Sequence, residues 1–118
     1  MHDLLILGAG PAGLAAASYA LRKHLDVKLI SRDLGGKTNL LVEFPDTQAH
    51  HVLRAHELVE GFRNTVEYLR HAHIIAAARS VSTEDGHVEL TLDKTGGEPR
   101  TIAGRCLIVA TGARPRPL

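Results

Sequence analysis

The chain has 118 residues, enough for one small domain with a real core and short for an enzyme with two cofactor sites. Its 14 basic residues nearly balance 13 acidic ones, and it carries two Tyr, two Phe and no Trp; this gives no electrostatic or stacking case for nucleic acid, and no charge case for an anionic membrane. A hydrophobic content of 44% with 23% charged residues argues against wholesale disorder, and the lone Cys106 excludes an internal disulfide or CxxC pair.

The chain opens Met1-His2-Asp3-Leu4, without a basic region, and its first apolar run stops at Gly8. That is too short for a signal peptide or a membrane span, so a cytoplasmic location is expected. Leu4-Leu5-Ile6-Leu7 is a solid apolar run ending in glycine, which predicts a buried parallel strand. Pro11 stands where a helix begins, a position that tolerates its missing N–H. Residues Ala12 to Lys23 are rich in Ala and Leu with basic residues at the end, as a helix prefers. Val27-Lys28-Leu29-Ile30 predicts a second strand, closing a βαβ unit.

Gly35-Gly36 breaks the pattern, and residues 37–48 read as irregular chain. Val52, Ala55, Val59, Phe62, Val66 and Leu69 then recur at spacings of three and four, which predicts one helix over about residues 50–70, weakened at Gly61. Beyond it the period becomes two. Ile74-Ile75 and the alternating Val88, Leu90 and Leu92 predict strands with Asp85-Gly86 as a tight turn between them, and Gly96-Gly97 predicts a second turn. Leu107-Ile108-Val109-Ala110, again followed by glycine at Gly112, predicts a third buried parallel strand. Residues 114–118 resemble a linker, leaving residues 1–113 as the domain. The expected fold is α/β: a Rossmann-like three-layer dinucleotide-binding domain with parallel strands and a small antiparallel β meander.

Chemistry concentrates in Gly8-Ala9-Gly10-Pro11-Ala12-Gly13. A G-x-G-x-x-G is weak alone, but here it follows a predicted buried strand and opens a predicted helix. Gly8 permits the tight turn, Gly10 lets the backbone approach a pyrophosphate, and Gly13 lets the helix pack on the strands. Pro11 and Ala12 complete the helix start, whose free N–H groups and dipole favour phosphate. Ribose recognition normally uses an acidic residue at the end of the second strand. Here that region reads Ser31-Arg32-Asp33. Asp33 has the spacing, Ser31 lies nearer the strand end, and Arg32 suits a phosphate, which keeps NADP open as the ligand.

Four stretches together resemble the N-terminal FAD segment of the thioredoxin reductase-like pyridine nucleotide–disulfide oxidoreductases. They are Ile6 through Ala16, Gly35-Gly36-Lys37, Glu43-Phe44-Pro45, and Leu107 through Pro115. The resemblance implies FAD, with Gly8, Gly10 and Gly13 along its pyrophosphate. It also implies Gly35-Gly36 beside the flavin half and Thr111-Gly112 closing over the cofactor. Lys37 replaces a frequent Gln and Glu43 a common Asn, so Lys37 would bring positive charge near a flavin and Glu43 would oppose it. A salt bridge between the two, or plain exposure, competes with that role. The family chemistry is hydride transfer from NADPH to flavin, often onward to a disulfide. This sequence contains no second glycine fingerprint and no CxxC, so the resemblance implies an isolated or partial FAD domain, inactive alone. Three readings follow: an FAD domain, an NAD(P) module, or a non-catalytic interaction domain. Self-association is expected through surface that the rest of such an enzyme would cover.

The eight histidines show no converging ligand spacing and read as solvated surface rather than a metal site. Cys106 reads as a buried, inert thiol, and no catalytic residue is assigned.

Overall fold

A computed structural model of the protein describes residues 1–36, 57, 60–65, 70–93 and 98–117. The described elements run β1 (His2–Leu7), α1 (Pro11–Arg22), β2 (Val27–Ser31), a 3₁₀ turn (Arg70–Ala72), β3 (His73–Ile75), β4 (Ala77–Glu84), β5 (His87–Asp93) and β6 (Arg100–Val109). They form one six-stranded sheet in the order β3-β2-β1-β6-β5-β4. β3, β2, β1 and β6 are parallel, whereas β4, β5 and β6 form the antiparallel meander. No described helix is long and apolar enough to cross a membrane.

The period-two alternation of the strands sorts the core into two faces. Leu4, Ile6, Val27 and Leu29 face α1, together with Leu14, Ala17 and Ala20. Residues 60–65 are helical, and Phe62 packs on this same side. Leu5 and Ile30 face the other way, where Leu90, Leu92 and Ile102 of the meander cover them. β1 is therefore apolar at every position from Leu4 to Leu7 because both of its faces are covered. Leu5 and Ile6, which point oppositely, are each 0% exposed.

β6 is the strand that joins the two parts of the sheet. Its first half pairs with β5 up to the Val88–Gly104 register, and its second half pairs with β1 from the His2–Gly104 register onward. A Cβ built on Gly104 would lie 2.6 Å from Leu5 Cγ, so the crossover needs a residue without a side chain. The meander hairpin closes through Asp85 and Gly86, both at positive φ, the conformation of a two-residue turn that matches strand twist.

Most expected elements appear, with four corrections. Ile74 and Ile75 lie in β3 and pair parallel with β2, so they belong to the parallel sheet. The run at residues 107–109 is parallel to β1 but is not fully buried: Ile108 is 40% exposed and Val109 65%. Past Gly104 the described partner of β6 is β1 alone, so among the described residues one edge of that half strand has no neighbour. Cys106 sits in this half strand and is exposed rather than buried. His2, His73 and His87 are half-buried and bonded to Asp26, Ser31 and Glu89 respectively, because each stands at the start of a strand beside a polar partner. The predicted helix is described only at residue 57 and residues 60–65; Val52, Ala55, Val59, Val66 and Leu69 lie outside the described residues, as does the turn at Gly96-Gly97.

Candidate functional site

β1 ends between its two parallel neighbours. The Gly8 N–H donates to the Ile30 carbonyl of β2 at 2.9 Å, and the Ala110 N–H donates to the Leu7 carbonyl at 2.8 Å. The turn after β1 thus sits at the carboxyl edge of the sheet's parallel part. On one side of it lie β2 and β3, and on the other lies β6. Chain direction away from β1 reverses here, the place where open α/β sheets leave a crevice for a ligand.

Gly8 adopts φ +105, a conformation that side chains rarely allow. A Cβ there would also collide with the Ala110 carbonyl. At Gly13 a Cβ would strike the Gly8 carbonyl, so only glycine lets the first turn of α1 press onto the end of β1. Gly10 is different in kind. Its Cβ direction meets nothing within 4 Å. Packing therefore explains Gly8 and Gly13 by themselves, whereas Gly10 faces open space.

α1 begins at this point. Gly10 is its N-cap and makes no side-chain cap, Pro11 occupies the first turn, and no acidic residue stands there. The first backbone bond of the helix is Leu14 N–H to the Gly10 carbonyl at 2.9 Å. The N–H groups of Ala12 and Gly13 precede it and receive no capping side chain. They carry the positive end of the helix dipole toward the crevice. Pro11 and Ala12 are exposed there.

The loop after β2 returns to the same turn. The Gly35 N–H donates to the Ala9 carbonyl at 2.7 Å, and a Cβ on Gly36 would come within 3.0 Å of Gly10 Cα. This close backbone approach accounts for the glycine pair. At the end of β2 the Ser31 hydroxyl donates to the Asp33 carbonyl at 2.6 Å and lies 2.9 Å from His73 Nε2. Arg32 and Asp33 are exposed. On the far side, Thr111 Cα lies 3.0 Å from the Cβ direction of Gly8, and Gly112 opens to empty space at φ +74.

Gly8, Gly10, Pro11, Ala12, Gly13, Gly35, Gly36 and Thr111-Gly112 are thus brought to one edge, with Ser31 and Arg32 at the adjoining end of β2. Lys37 and Glu43-Phe44-Pro45 lie outside the described residues. Two contributors escape a reading of the sequence. Ala9 is buried and supplies the carbonyl that holds Gly35, and His73 reaches Ser31 from across the sheet. Neither residue type carries a local signature. His73 becomes visible only once β3 is known to lie beside β2.

The residues fit a dinucleotide on these grounds: uncapped helix N–H groups, an open Gly10, and glycines holding both flanking loops close. The sequence profile of the pyridine nucleotide-disulphide oxidoreductases matches residues 2–118. A thioredoxin reductase of Ureaplasma parvum is 32% identical over 100% of the chain, which spans 37% of that relative's length. A thioredoxin reductase of Listeria monocytogenes is 29% identical, again over 100% of the chain and 36% of the relative. The crystal structure of a ferredoxin-flavin thioredoxin reductase from Clostridium acetobutylicum superposes with a TM-score of 0.74 at 25% identity, covering 99% of this chain and 40% of that one.

Proposed function

Because the chain belongs to the pyridine nucleotide-disulphide oxidoreductase family, we propose that it is the FAD-binding part of a thioredoxin reductase-like flavoprotein. The observation that carries this reading is the empty direction at Gly10, beside helix N–H groups that no side chain caps. A diphosphate occupies such a place with its charge facing the dipole. Gly8 and Gly13 shape the turn, Pro11 and Ala12 open the helix, and Gly35, Gly36 and Lys37 flank the flavin half. Ser31 and Arg32 flank the adenosine half, and Thr111-Gly112 close the crevice. When bound, the flavin supplies the hydride chemistry; these residues bind and orient it. No residue of the chain is assigned a catalytic role, and the partner in electron transfer lies outside this proposal.

Within this reading residues 1–113 are the binding domain and residues 114–118 a connection. The location is cytoplasmic, in keeping with the single cysteine. A second copy meets the open half of β6, and a monodisperse monomer in light scattering removes that last idea.

The test uses Gly10→Val. A Cβ at Gly10 meets nothing within 4 Å, so the fold is expected to stand while the phosphate position is blocked. FAD affinity in a fluorescence titration is expected to fall roughly 100-fold, the worth of about two charge-assisted hydrogen bonds. An unchanged affinity rejects the site. The exposed Arg32 favours a second reading, in which the ligand is NADP. A purified chain that is colourless and binds NADPH but not FAD establishes that alternative.

A further inference from the structure

We propose that His73 is a positioning residue which converts the Ser31 hydroxyl into an uncharged acceptor for the adenosine ribose of the dinucleotide. The inference rests on the flavin reading above and adds to it how the ribose is held. Dinucleotide folds of this kind ordinarily end their second strand in a carboxylate that accepts from the ribose hydroxyls. Here Ser31 closes β2, and the exposed Asp33 follows two residues later.

Proton counting determines what Ser31 can do. A serine hydroxyl has one proton and two lone pairs. Its proton goes to the Asp33 carbonyl, 2.6 Å away. The contact to His73 Nε2 at 2.9 Å then requires the ring nitrogen to donate, because the hydroxyl has no second proton to give. One lone pair is left. Ser31 is held as an acceptor-only group, like one oxygen of a carboxylate but without its charge.

The placement suits that role. Ser31 shares its sheet face with Leu29, the face on which α1 packs, and follows the Ile30 carbonyl that receives the Gly8 N–H. His73 is the register partner of Leu29 and lies on that same face. The hydroxyl therefore stands at the strand end next to the glycine turn, where the ribose of a dinucleotide anchored at α1 arrives. Without His73 only the Asp33 carbonyl holds the hydroxyl, and its two lone pairs are less narrowly directed.

Calorimetric titration of the purified chain with FAD, and with FAD whose adenosine is 2′,3′-dideoxy, tests this. The intact chain is expected to prefer FAD about five-fold, the worth of one neutral hydrogen bond. Ser31→Ala and His73→Ala bring that ratio close to one. His73→Gln, which keeps a donor N–H, restores it. A purely structural role for His73 weakens both ligands alike and leaves the ratio unchanged, which overturns the proposal. Loss of discrimination in Asp33→Asn, with Ser31→Ala still discriminating, overturns it as well. A wild-type chain that binds FAD with a ratio of one refutes the inference alone, whereas a chain that binds neither ligand refutes the flavin reading and this inference together.

Discussion

Individual side chains differ in whether they serve the fold or the crevice. Ser18 is 0% exposed within α1, and its hydroxyl has no hydrogen-bond partner among the described residues. A buried, unpaired hydroxyl costs free energy that a methyl group of nearly the same size avoids. Ser18→Ala is expected to raise unfolding free energy by about 1 kcal/mol, read from the urea midpoint. Asp26 lies at the opposite end of the sheet from the glycine turn. The hydrogen bond with His2, reinforced by the charges of His2 and Lys28, holds its carboxyl below the ordinary value. A lowered folded value means stability that is complete above the ordinary carboxylate range and lost as pH falls through the folded value. The pair is solvent-exposed, so the amount is about 0.5 kcal/mol. Asp26→Asn should flatten by about that amount the acid loss of unfolding free energy, measured by urea unfolding as pH drops through and below the ordinary carboxylate range. At this scale the glycines were legible and the histidines were not. Gly8, Gly10 and Gly13 carry a spacing that takes its meaning from the strand just before it and the helix just after it, whereas His73 acquires its partner from a residue 42 positions away.

Among the elements, α1 was readable to within one residue, because proline at its start and basic residues at its end mark both boundaries. Its end holds a feature that propensity does not reveal. His24 adopts φ +59, the His24 N–H donates to the Leu21 carbonyl at 3.0 Å, and the Leu25 N–H donates to the Ala20 carbonyl at 3.2 Å. This is a Schellman ending with histidine at the left-handed position that glycine usually fills. A Cβ there costs about 1 kcal/mol, so His24→Gly should raise the unfolding free energy by about that much, as measured by thermal or urea unfolding. β4 was legible only through its turn. Its Ala-Ala-Arg-Ser-Val-Ser-Thr-Glu sequence lacks apolar alternation because it is an exposed edge strand. β6 was read as four residues and spans ten, since its first half faces the meander and its second half faces β1, and no single periodicity covers both.

Taken whole, the molecule places β1 between two cores and hangs the candidate site from that strand's end. The α/β class, the parallel strands and the meander were all legible, because a continuous apolar run and an alternating one demand different burial. The open half of β6 was not, since exposure of Ile108 and Val109 depends on which strand stands beside them. This arrangement makes cofactor binding a question of global stability. The glycine turn is bonded to β2, to β6 and, through Ala9, to the loop at Gly35. A dinucleotide held there must release the chain before these contacts can unfold, so it stabilises the folded state by mass action. With FAD at about 100 times its dissociation constant the gain is about 2.7 kcal/mol. For a domain of this size that corresponds to a rise of roughly 10 °C in Tm by scanning calorimetry. Gly10→Val should melt at the same temperature as the parent without FAD, and at the same FAD concentration its roughly 100-fold weaker binding should leave a rise of only about 1–2 °C, because its Cβ meets no neighbour yet fills the phosphate space. A variant that melts lower without ligand would instead place Gly10 in the scaffold beside Gly8 and Gly13, and the crevice would lose the residue that distinguishes a binding turn from a merely tight one.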